Sequence, residues 1–402
     1  MKVRKENTVQ KPRDSARVGR KPRLLLTVFF GTLIALTLSE ALLTLSGIPR
    51  VKEIVSHRFT EPPEIITVDQ PAGMTLYRLK PLSRMHFTYP RFGRSSGHEI
   101  VVQANADGFR GPDCRPRNSS PETRVMFLGD SFTFAAGVAL ENSFPAQVIQ
   151  ILQQEGEDAV GCNRAMFGFN TIQNWLVFSR DSGFFDPDVV VLGYFLNDAS
   201  GPLFTVDPST GVVSEDSANP FWAASKATPT SGIFRSRLAR LFWESAHVVR
   251  VQRRTKEYYR SLYLDSNPWR EPNREALAEL VRTCESRNIR LLILIFPVLE
   301  WLDTTYPFET IHQLVSEDIR LEATSCTQII DLLPTLYDRP PESLWVHPMD
   351  HHPNEMVHEE FAKIVVETLN RPNSSCPGGS IRRTFRLGTM GSGEDASASP
   401  GL

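Results

Sequence analysis

The 402-residue sequence lacks the cysteine spacing and the charge excess that mark several classes of protein. Its five cysteines form no C-x-x-C pair, which argues against a zinc site. The net charge of −2 leaves no basic excess, so we expect no nucleic-acid partner. No internal repeat is visible. With 41% hydrophobic residues, the chain is long and apolar enough for a sizeable globular core.

The cysteines are scattered, and their odd number excludes complete pairing within one chain. Cys284 and Cys326 are one candidate disulfide pair, but the sequence leaves the pairing open. The five positions are Cys114, Cys162, Cys284, Cys326 and Cys376.

The N-terminus predicts a membrane anchor. Residues 1–23 hold nine Lys or Arg, and residues 24–48 form an apolar run that only Glu40 interrupts, near its far end. About 20 apolar residues span a bilayer as a helix, and a basic flank stays in the cytoplasm. A cleaved signal peptide is the alternative, but its basic region would be long and no clean A-x-A site follows. The dense basic flank disfavours a buried helix of a soluble domain. We predict that the chain after Pro49 lies outside the cytoplasm, in the periplasm or the extracellular space.

The rest of the chain divides into four predicted regions. Residues 49–120 are an extended lead-in that Pro and Gly often break. Residues 121–370 alternate apolar strand patterns with helical patterns, which predicts an α/β domain with a parallel sheet covered on both faces. Residues 199–270 fit that alternation badly and form an insertion whose helical part is basic and aromatic. We expect its basic face to be solvated, with an anionic-ligand site as the alternative. The tail, residues 371–402, is rich in Ser, Gly and Pro and is predicted to be disordered.

Polar residues follow the predicted strands at the edge where parallel sheets bind ligands. They supply a hydroxyl, a glycine amide, a carboxamide and an imidazole with a carboxylate, which together suit acyl transfer through a serine ester. Each also has a structural interpretation, as a helix cap, a turn residue or an exposed loop side chain. The strand-end residues are Asp130, Ser131, Gly168, Asn170, Asn197, Asp198, Asp350, His351 and His352.

Four sequence blocks in this order resemble those of the SGNH, or GDSL, hydrolases. They are "FLGDSFTF", "NRAMFGFNT", "VVVLGYFLND" and "DHHPNEMVHEEFAKIVVETL", within a match from Val101 to Asn370. The segment "ANADGFRG" further resembles membrane-anchored bacterial members. The resemblance implies a flavodoxin-like three-layer fold, with a parallel sheet between helices on both faces.

The resemblance also implies the roles of the site residues. Ser131 is the nucleophile, His352 its general base and later acid, and Asp350 the residue that orients His352. The backbone amides of Ser131 and Gly168 and the side chain of Asn197 form the oxyanion hole. No metal or organic cofactor is required.

The neighbouring residues receive lesser roles. Many family members place two residues between the Asp and the His, whereas only His351 intervenes here. The Pro-Asn that follows favours His352 over His351, and His347 and His358 are predicted bystanders. Asp130 is expected to order its loop and Asp198 to support its turn.

The leading function is serine-dependent hydrolysis of a carboxylic ester outside the cytoplasmic membrane. The alternatives are O-acyl transfer to a cell-surface glycan and, from another class, a non-catalytic glycan-binding or scaffold protein. Aromatic residues near the strand ends predict a narrow pocket and a short acyl group, as in an acetylated glycan, although core packing explains most of them equally well. These residues are Phe132, Phe134, Phe167, Phe169, Tyr194 and Phe195.

Overall fold

The computed structural model describes most of the chain between residues 20 and 376. The described residues are 20–45, 65–69, 74–89, 97–118, 122–206, 213–215, 232–302, 305–323, 325–348, 350–371 and 376. The predicted basic segment and the predicted disordered tail lie almost wholly outside them.

Nine helices and thirteen strands are assigned within these residues. In chain order they are α1 (Arg20–Leu45), β1 (Ile65–Asp69), β2 (Leu76–Leu79), β3 (Arg84–Tyr89), β4 (His98–Gln103), β5 (Thr123–Gly129), α2 (Ser131–Phe134), α3 (Phe144–Gln154), β6 (Ala159–Asn163), α4 (Thr171–Phe185), β7 (Val189–Phe195), β8 (Phe204–Val206), β9 (Val213–Glu215), α5 (Arg237–Leu262), α6 (Arg270–Ser286), β10 (Arg290–Phe296), α7 (Glu309–Glu322), β11 (Thr327–Asp331), α8 (Leu333–Leu336), β12 (Trp345–His347), β13 (Asp350–Pro353) and α9 (Glu355–Asn370).

The N-terminal helix α1 contains one segment, Leu25–Leu45, that is long and apolar enough to cross a membrane. Its large apolar side chains are exposed rather than packed on the rest of the chain; Leu25, for example, is 71% exposed. A helix with apolar residues on every side needs an apolar surrounding, which a bilayer supplies. The described part of the predicted 24–48 segment is therefore helical.

A five-stranded parallel sheet forms the centre of the domain. Its strand order is β11-β10-β7-β5-β6. Every residue of β5, β7 and β10 is buried, as expected for strands that helices cover on both faces. Helix α3 packs beside α9, whereas α4 packs beside α6 and α6 beside α7. The prediction of a three-layer α/β domain is confirmed.

The strand order places the candidate site. Relative to the first sheet strand, β5, the second strand β6 lies on one side and β7, β10 and β11 follow on the other. This is the doubly wound order of flavodoxin-like sheets, in which the order of strand addition reverses between β5 and β7. Ligands bind beyond the carboxyl ends of the strands at such a reversal. Ser131 follows β5 and Asn197 follows β7, so both lie at that point.

The predicted lead-in is more structured than its broken sequence pattern indicated. β1 pairs with β2, and β3 with β4, as two antiparallel hairpins. Alternate residues of β3, Met85, Phe87 and Tyr89, are buried in the main core. The hairpins therefore pack as part of the α/β domain.

The insertion between β7 and α6 contains the hairpin β8–β9 and the helix α5. Tyr259, Leu262 and Tyr263, at the C-terminal end of α5, are buried in the main core. The helix is therefore fixed to the domain at this end.

The disulfide pairing differs from the candidate pair named from the sequence. Cys114 is bonded to Cys162 and Cys326 to Cys376, whereas Cys284 is a buried free thiol. Cys284 lies in α6 and faces the core, where burial raises the pKa of its thiol. The sequence could not show this, because pairing depends on which segments meet in three dimensions.

Mass spectrometry of unreduced proteolytic fragments tests this pairing. We expect one fragment pair to contain Cys114 with Cys162 and another Cys326 with Cys376. Cys284 should react with iodoacetamide only after denaturation, because it is buried and its thiol remains protonated. A fragment pair joining Cys284 to Cys326 would contradict the structure.

Candidate active site

The candidate nucleophile lies at a sharp strand-to-helix turn. β5 ends at Gly129 and α2 begins at Ser131, which is half-buried, while the rest of α2 is buried. Asp130 caps the short helix by accepting a hydrogen bond from the Phe132 amide at 2.9 Å. Asp130 thus orders the loop, and Ser131 is held at the sheet edge.

Ser131, His352 and Asp350 form a continuous hydrogen-bonded line. His352 Nδ1 lies 2.5 Å from Asp350 Oδ1, and His352 Nε2 lies 2.8 Å from Ser131 Oγ. A carboxylate only accepts, so Nδ1 carries the proton and Nε2 is left to accept from the serine hydroxyl. Asp350 and His352 are two residues apart in β13, which puts both side chains on one face. The single intervening residue is therefore compatible with the triad geometry.

The other histidines face away from Ser131. His351 Nδ1 is bound by Glu300, and its ring lies 4.0 Å from the Trp345 ring. His347 is buried, and its ring stacks on the Tyr89 ring. His358 is buried, and burial lowers its pKa to about 3, so it stays neutral. Among the histidines that the structure describes, His352 is the one whose ring is hydrogen-bonded to the candidate nucleophile.

Gly168 occupies a position that only glycine fits. Its φ is +76°, and a Cβ there would lie 2.5 Å from the Phe204 ring and 3.0 Å from Tyr77 Oη. The Tyr77 hydroxyl donates to the Phe167 carbonyl at 2.7 Å, which fixes the loop from the side of the lead-in. The bend turns the backbone at the carboxyl end of β6, the position from which the sequence predicts an oxyanion-hole amide.

The two asparagines named from the sequence have different environments. Asn170 caps α4: its side chain accepts from the Gln173 amide at 2.9 Å, and Gln173 accepts from the Asn170 amide. Asn197 lies in a short 3₁₀ helix after β7, and its Oδ1 is buried without a hydrogen-bond partner in the described part of the chain. The Asn170 oxygen therefore caps a helix, whereas the Asn197 oxygen does not.

Asp130 and Asp198 are two buried carboxyl groups close to the candidate nucleophile. Burial raises the pKa of Asp130 to about 6. Burial, and then the charge of Asp130, raises the pKa of Asp198 well above its usual value. The folded state thus retains protons that the unfolded chain releases near pH 4, so stability falls as the pH rises from about 4 through about 6 for Asp130, and on to higher pH for Asp198. Asp198 also accepts from the Phe195 amide at 3.3 Å, which supports its turn as the sequence predicts.

The sequence analysis missed Tyr89, which contacts the triad from the lead-in. Its hydroxyl donates to Asp350 Oδ2 at 2.9 Å, so Tyr89 and His352 hold the two carboxylate oxygens of Asp350. The Tyr89 ring stacks on His347, with ring centres 5.3 Å apart. A Cβ on Gly137 would lie 2.3 Å from the Tyr89 hydroxyl, so the ring is closely confined. The apolar alternation of β3 was the available signal for a buried face.

Arg110, in the quoted "ANADGFRG" segment, supports the loop that follows the nucleophile. Its side chain is buried and donates to the carbonyls of Phe134 at 2.8 Å, Ala135 at 2.5 Å and Val138. Burial lowers its pKa to about 10, so it remains charged at neutral pH. A buried guanidinium with three carbonyl acceptors fixes the path of this loop.

Most of the aromatic residues named from the sequence are core residues. Phe132, Phe134, Phe169, Tyr194 and Phe195 are buried, and Phe167 is half-buried. The Phe132 ring nevertheless lies 5.6 Å from the His352 ring. The rings of Phe167 and Phe204 lie next to Gly168, with their centres 5.8 Å apart. One of these aromatic side chains therefore lies beside His352, and two lie beside Gly168.

Within the described residues, no group of three or more His, Cys, Asp or Glu side chains is arranged to hold a metal ion. The triad, the glycine turn and the carboxamide meet at the reversal point of a doubly wound sheet.

The chain has a doubly wound, flavodoxin-like α/β fold.

Comparison with solved structures finds similar chains at low sequence identity. The structure of TesA has a TM-score of 0.37 at 14% identity, covering 61% of this chain and 98% of TesA. A lipolytic protein of the G-D-S-L family from Desulfitobacterium hafniense DCB-2 has a TM-score of 0.34 at 14% identity, covering 61% and 99%. The acetyl xylan esterase AlAXEase has a TM-score of 0.34 at 18% identity, covering 61% and 98%. No family model and no curated protein sequence matches the chain. The chemistry is assigned from the residues described above and not from these likenesses.

Replacing Tyr89 by Phe tests its contact with Asp350. We expect Tyr89→Phe to lower kcat for an ester about 5- to 10-fold with little change in KM. The lost hydrogen bond contributes about 1–1.5 kcal/mol. Tyr89 orients the base through Asp350 and does not contact the substrate. Steady-state kinetics of the full-length enzyme in detergent measures kcat and KM separately.

Tyr306→Phe is the matched control. It removes another buried tyrosine hydroxyl, which accepts from the Val298 amide at 2.9 Å, and should leave kcat close to that of the wild type. An unchanged kcat in Tyr89→Phe, or an equal loss in both variants, would show that Tyr89 has no specific role.

Proposed function

We propose that the protein is a serine esterase that hydrolyses short acyl esters outside the cytoplasmic membrane. The observation that carries the proposal is the line from Ser131 Oγ through the His352 imidazole to the Asp350 carboxylate, at 2.8 and 2.5 Å. Nucleophile, base and orienting acid lie within hydrogen-bonding reach, which is the arrangement of an activated serine.

Acylation starts with attack of Ser131 Oγ on the ester carbonyl carbon. His352 Nε2 accepts the hydroxyl proton, and Asp350 stabilises the imidazolium through Nδ1. When the tetrahedral intermediate collapses, the bond to the leaving alcohol breaks and His352 returns the proton to that oxygen. The products are a free alcohol and an acyl group on Ser131.

Deacylation repeats the sequence with water. His352 takes a proton from water, the hydroxide adds to the acyl carbon, and the carboxylic acid leaves as Ser131 regains its proton. We propose that the backbone amides of Ser131 and Gly168 and the side-chain amide of Asn197 donate hydrogen bonds to the oxyanion of both intermediates. Loss of one such donor typically costs about 3–4 kcal/mol of transition-state stabilisation.

The preference for a short acyl group rests on the flanking rings. Phe132 lies beside His352, and Phe167 and Phe204 lie beside Gly168. Phe132 is also stacked on Phe195 at 4.3 Å, so it cannot move aside without disturbing the core. An acetyl group fits between such walls more readily than a long chain does.

The location outside the cytoplasm rests on two independent features. The helix segment Leu25–Leu45 can span a bilayer, and the basic residues before it favour a cytoplasmic N-terminus. The two disulfides, Cys114–Cys162 and Cys326–Cys376, suit an oxidising compartment. Acetylated surface glycans are the substrates that an anchored enzyme meets there.

A comparison of p-nitrophenyl acetate with p-nitrophenyl dodecanoate tests the reaction and the acyl preference together. We expect kcat/KM to be about 5- to 160-fold higher for the acetate, because overpacking costs about 1–3 kcal/mol. Ser131→Ala should lower the rate at least about 1,000-fold. Ser179→Ala, at an exposed position on α4, is the control and should keep full activity.

The two parts of the proposal fail separately. Turnover that persists in a folded Ser131→Ala variant would disprove the serine mechanism. Equal kcat/KM for both esters, measured below the aggregation range of the dodecanoate, would disprove the acyl preference and indicate a lipase.

A further inference from the structure

The helix α5 joins the candidate site to the N-terminal helix. At its C-terminal end, the Tyr263 hydroxyl donates to the Leu196 carbonyl at 3.0 Å, directly before Asn197. At its N-terminal end, Ser236 and Arg237 contact α1. Its 26 residues span about 39 Å. One rigid element therefore connects the oxyanion-hole loop with the predicted membrane anchor.

Glu40, the acidic residue within the apolar run, binds the start of α5. Its carboxylate accepts from Ser236 Oγ at 2.8 Å, from the Arg237 amide at 2.6 Å and from the Leu238 amide at 2.9 Å. Arg237 in turn donates to the Leu43 carbonyl at 2.8 Å. A carboxylate at a helix N-terminus satisfies amides that lack intrahelical partners. Glu40 therefore fixes α5 to the anchor, rather than only reaching the interface.

This contact sets the depth of α5. Glu40 lies five residues before Leu45, the end of the apolar segment, so α5 begins about 7.5 Å inside that end. Helices that lie in a membrane interface bury their apolar face by about 5–10 Å. The start of α5 lies in this range.

The N-terminal half of α5 carries a large exposed apolar surface. Phe242 is 69% exposed, Val249 67% and Leu241 45%, although all three are large apolar residues. With Leu238 they fall on one side of the helix, since residues three, four, seven and eleven apart share a face. Leu238 and Phe242 also line an open groove together with Leu36, Ala41 and Leu45 of α1. The apolar face is thus continuous with the surface of the anchor.

The charge of α5 suits anionic lipid. The helix contains seven Arg or Lys and two Glu. Arginine binds phosphate through several donors, and basic residues close to a bilayer are attracted to anionic headgroups. Within residues 237–250, Arg240 and Arg250 lie away from the side of Leu238, Phe242 and Val249. A helix segment of this kind, fixed at the end of a spanning helix, matches an interfacial segment.

We propose that residues 237–250 of α5 lie in the outer headgroup region of the bilayer, with Leu238, Leu241, Phe242 and Val249 inserted and the arginines on lipid phosphates. This inference rests on the proposed membrane anchoring. Its consequence is a fixed distance: Tyr263, which binds the loop of Asn197, lies about 21 Å along the helix axis from Val249. The candidate active site is thus held beside the bilayer surface, within reach of surface glycans.

Depth-dependent fluorescence quenching tests the position of the helix. The full-length protein carries a single fluorophore on Leu33→Cys, Phe242→Cys, Arg250→Cys or Leu321→Cys and is reconstituted in nanodiscs of phosphatidylglycerol and phosphatidylcholine. Lipids with a doxyl group near the headgroup act as quenchers for Phe242, and lipids with a doxyl group near the end of the acyl chain act as quenchers for Leu33. The unsubstituted protein gives the background, because Cys284 is buried.

We expect loss of emission at Leu33 and Phe242, less loss at Arg250 on the polar side, and none at Leu321, an exposed apolar residue of α7. Quenching at Leu33 but not at Phe242 would overturn the docking of α5 while leaving the anchor intact. No quenching at Leu33 would overturn the anchoring, and the inference with it. A spectral shift at Phe242 without lipid quenching would indicate a protein partner and also contradict the proposal.

The arginines have their own readout. Arg250→Gln should reduce the quenching at Phe242 in phosphatidylglycerol discs and not in pure phosphatidylcholine discs. Arg250 is exposed and is not one of the candidate site residues, so ester turnover should be unchanged. An equal change in both lipids would disprove the role of the anionic headgroups.

Discussion

The hydrogen bond from Ser131 Oγ to His352 Nε2 joins residues 221 positions apart, and the candidate site depends on it. Neither residue is special in its own segment: one begins a short helix, and the other lies in a four-residue strand. They meet because β5 ends at the side of the sheet where all five parallel strands end. The hairpin β12–β13, which contains His352, lies over that side. The parallel sheet is therefore the scaffold for the chemistry, and its buried apolar strands provide the stability that keeps a polar cluster in place.

Segments outside the sheet complete that geometry. Tyr89 from the lead-in holds one oxygen of Asp350, and Arg110 holds three carbonyls of the loop after Ser131. Tyr77 fixes the turn at Gly168. Each of these side chains is buried, so each adds rigidity that exposed contacts would not give. The lead-in hairpins are in this sense part of the candidate site, although they precede the α/β alternation.

The sequence was informative where a local pattern determines structure. The apolar runs of β5, β7 and β10 predicted buried parallel strands, and the motif order placed Ser131, Gly168 and Asn197 after strands of the sheet. His352, also expected at a strand end, lies instead within β13 of a separate hairpin. The disulfide pairing, the bond from Tyr89 to Asp350 and the binding of Glu40 to α5 all depend on distant segments meeting. A single sequence contains no local signal for such contacts. The β3 alternation did indicate a buried face, but not which residue that face would contact.

Covalent labelling with a fluorophosphonate tests whether His352 activates Ser131 as a nucleophile. The full-length protein and the His352→Gln variant are treated with the probe, digested and analysed by mass spectrometry. We expect one adduct, on the peptide that contains Ser131. The adduct should form far more slowly in the variant, because the imidazole that takes the serine proton is lost. An adduct on another residue, or labelling of Ser131 at the same rate in both proteins, would contradict it.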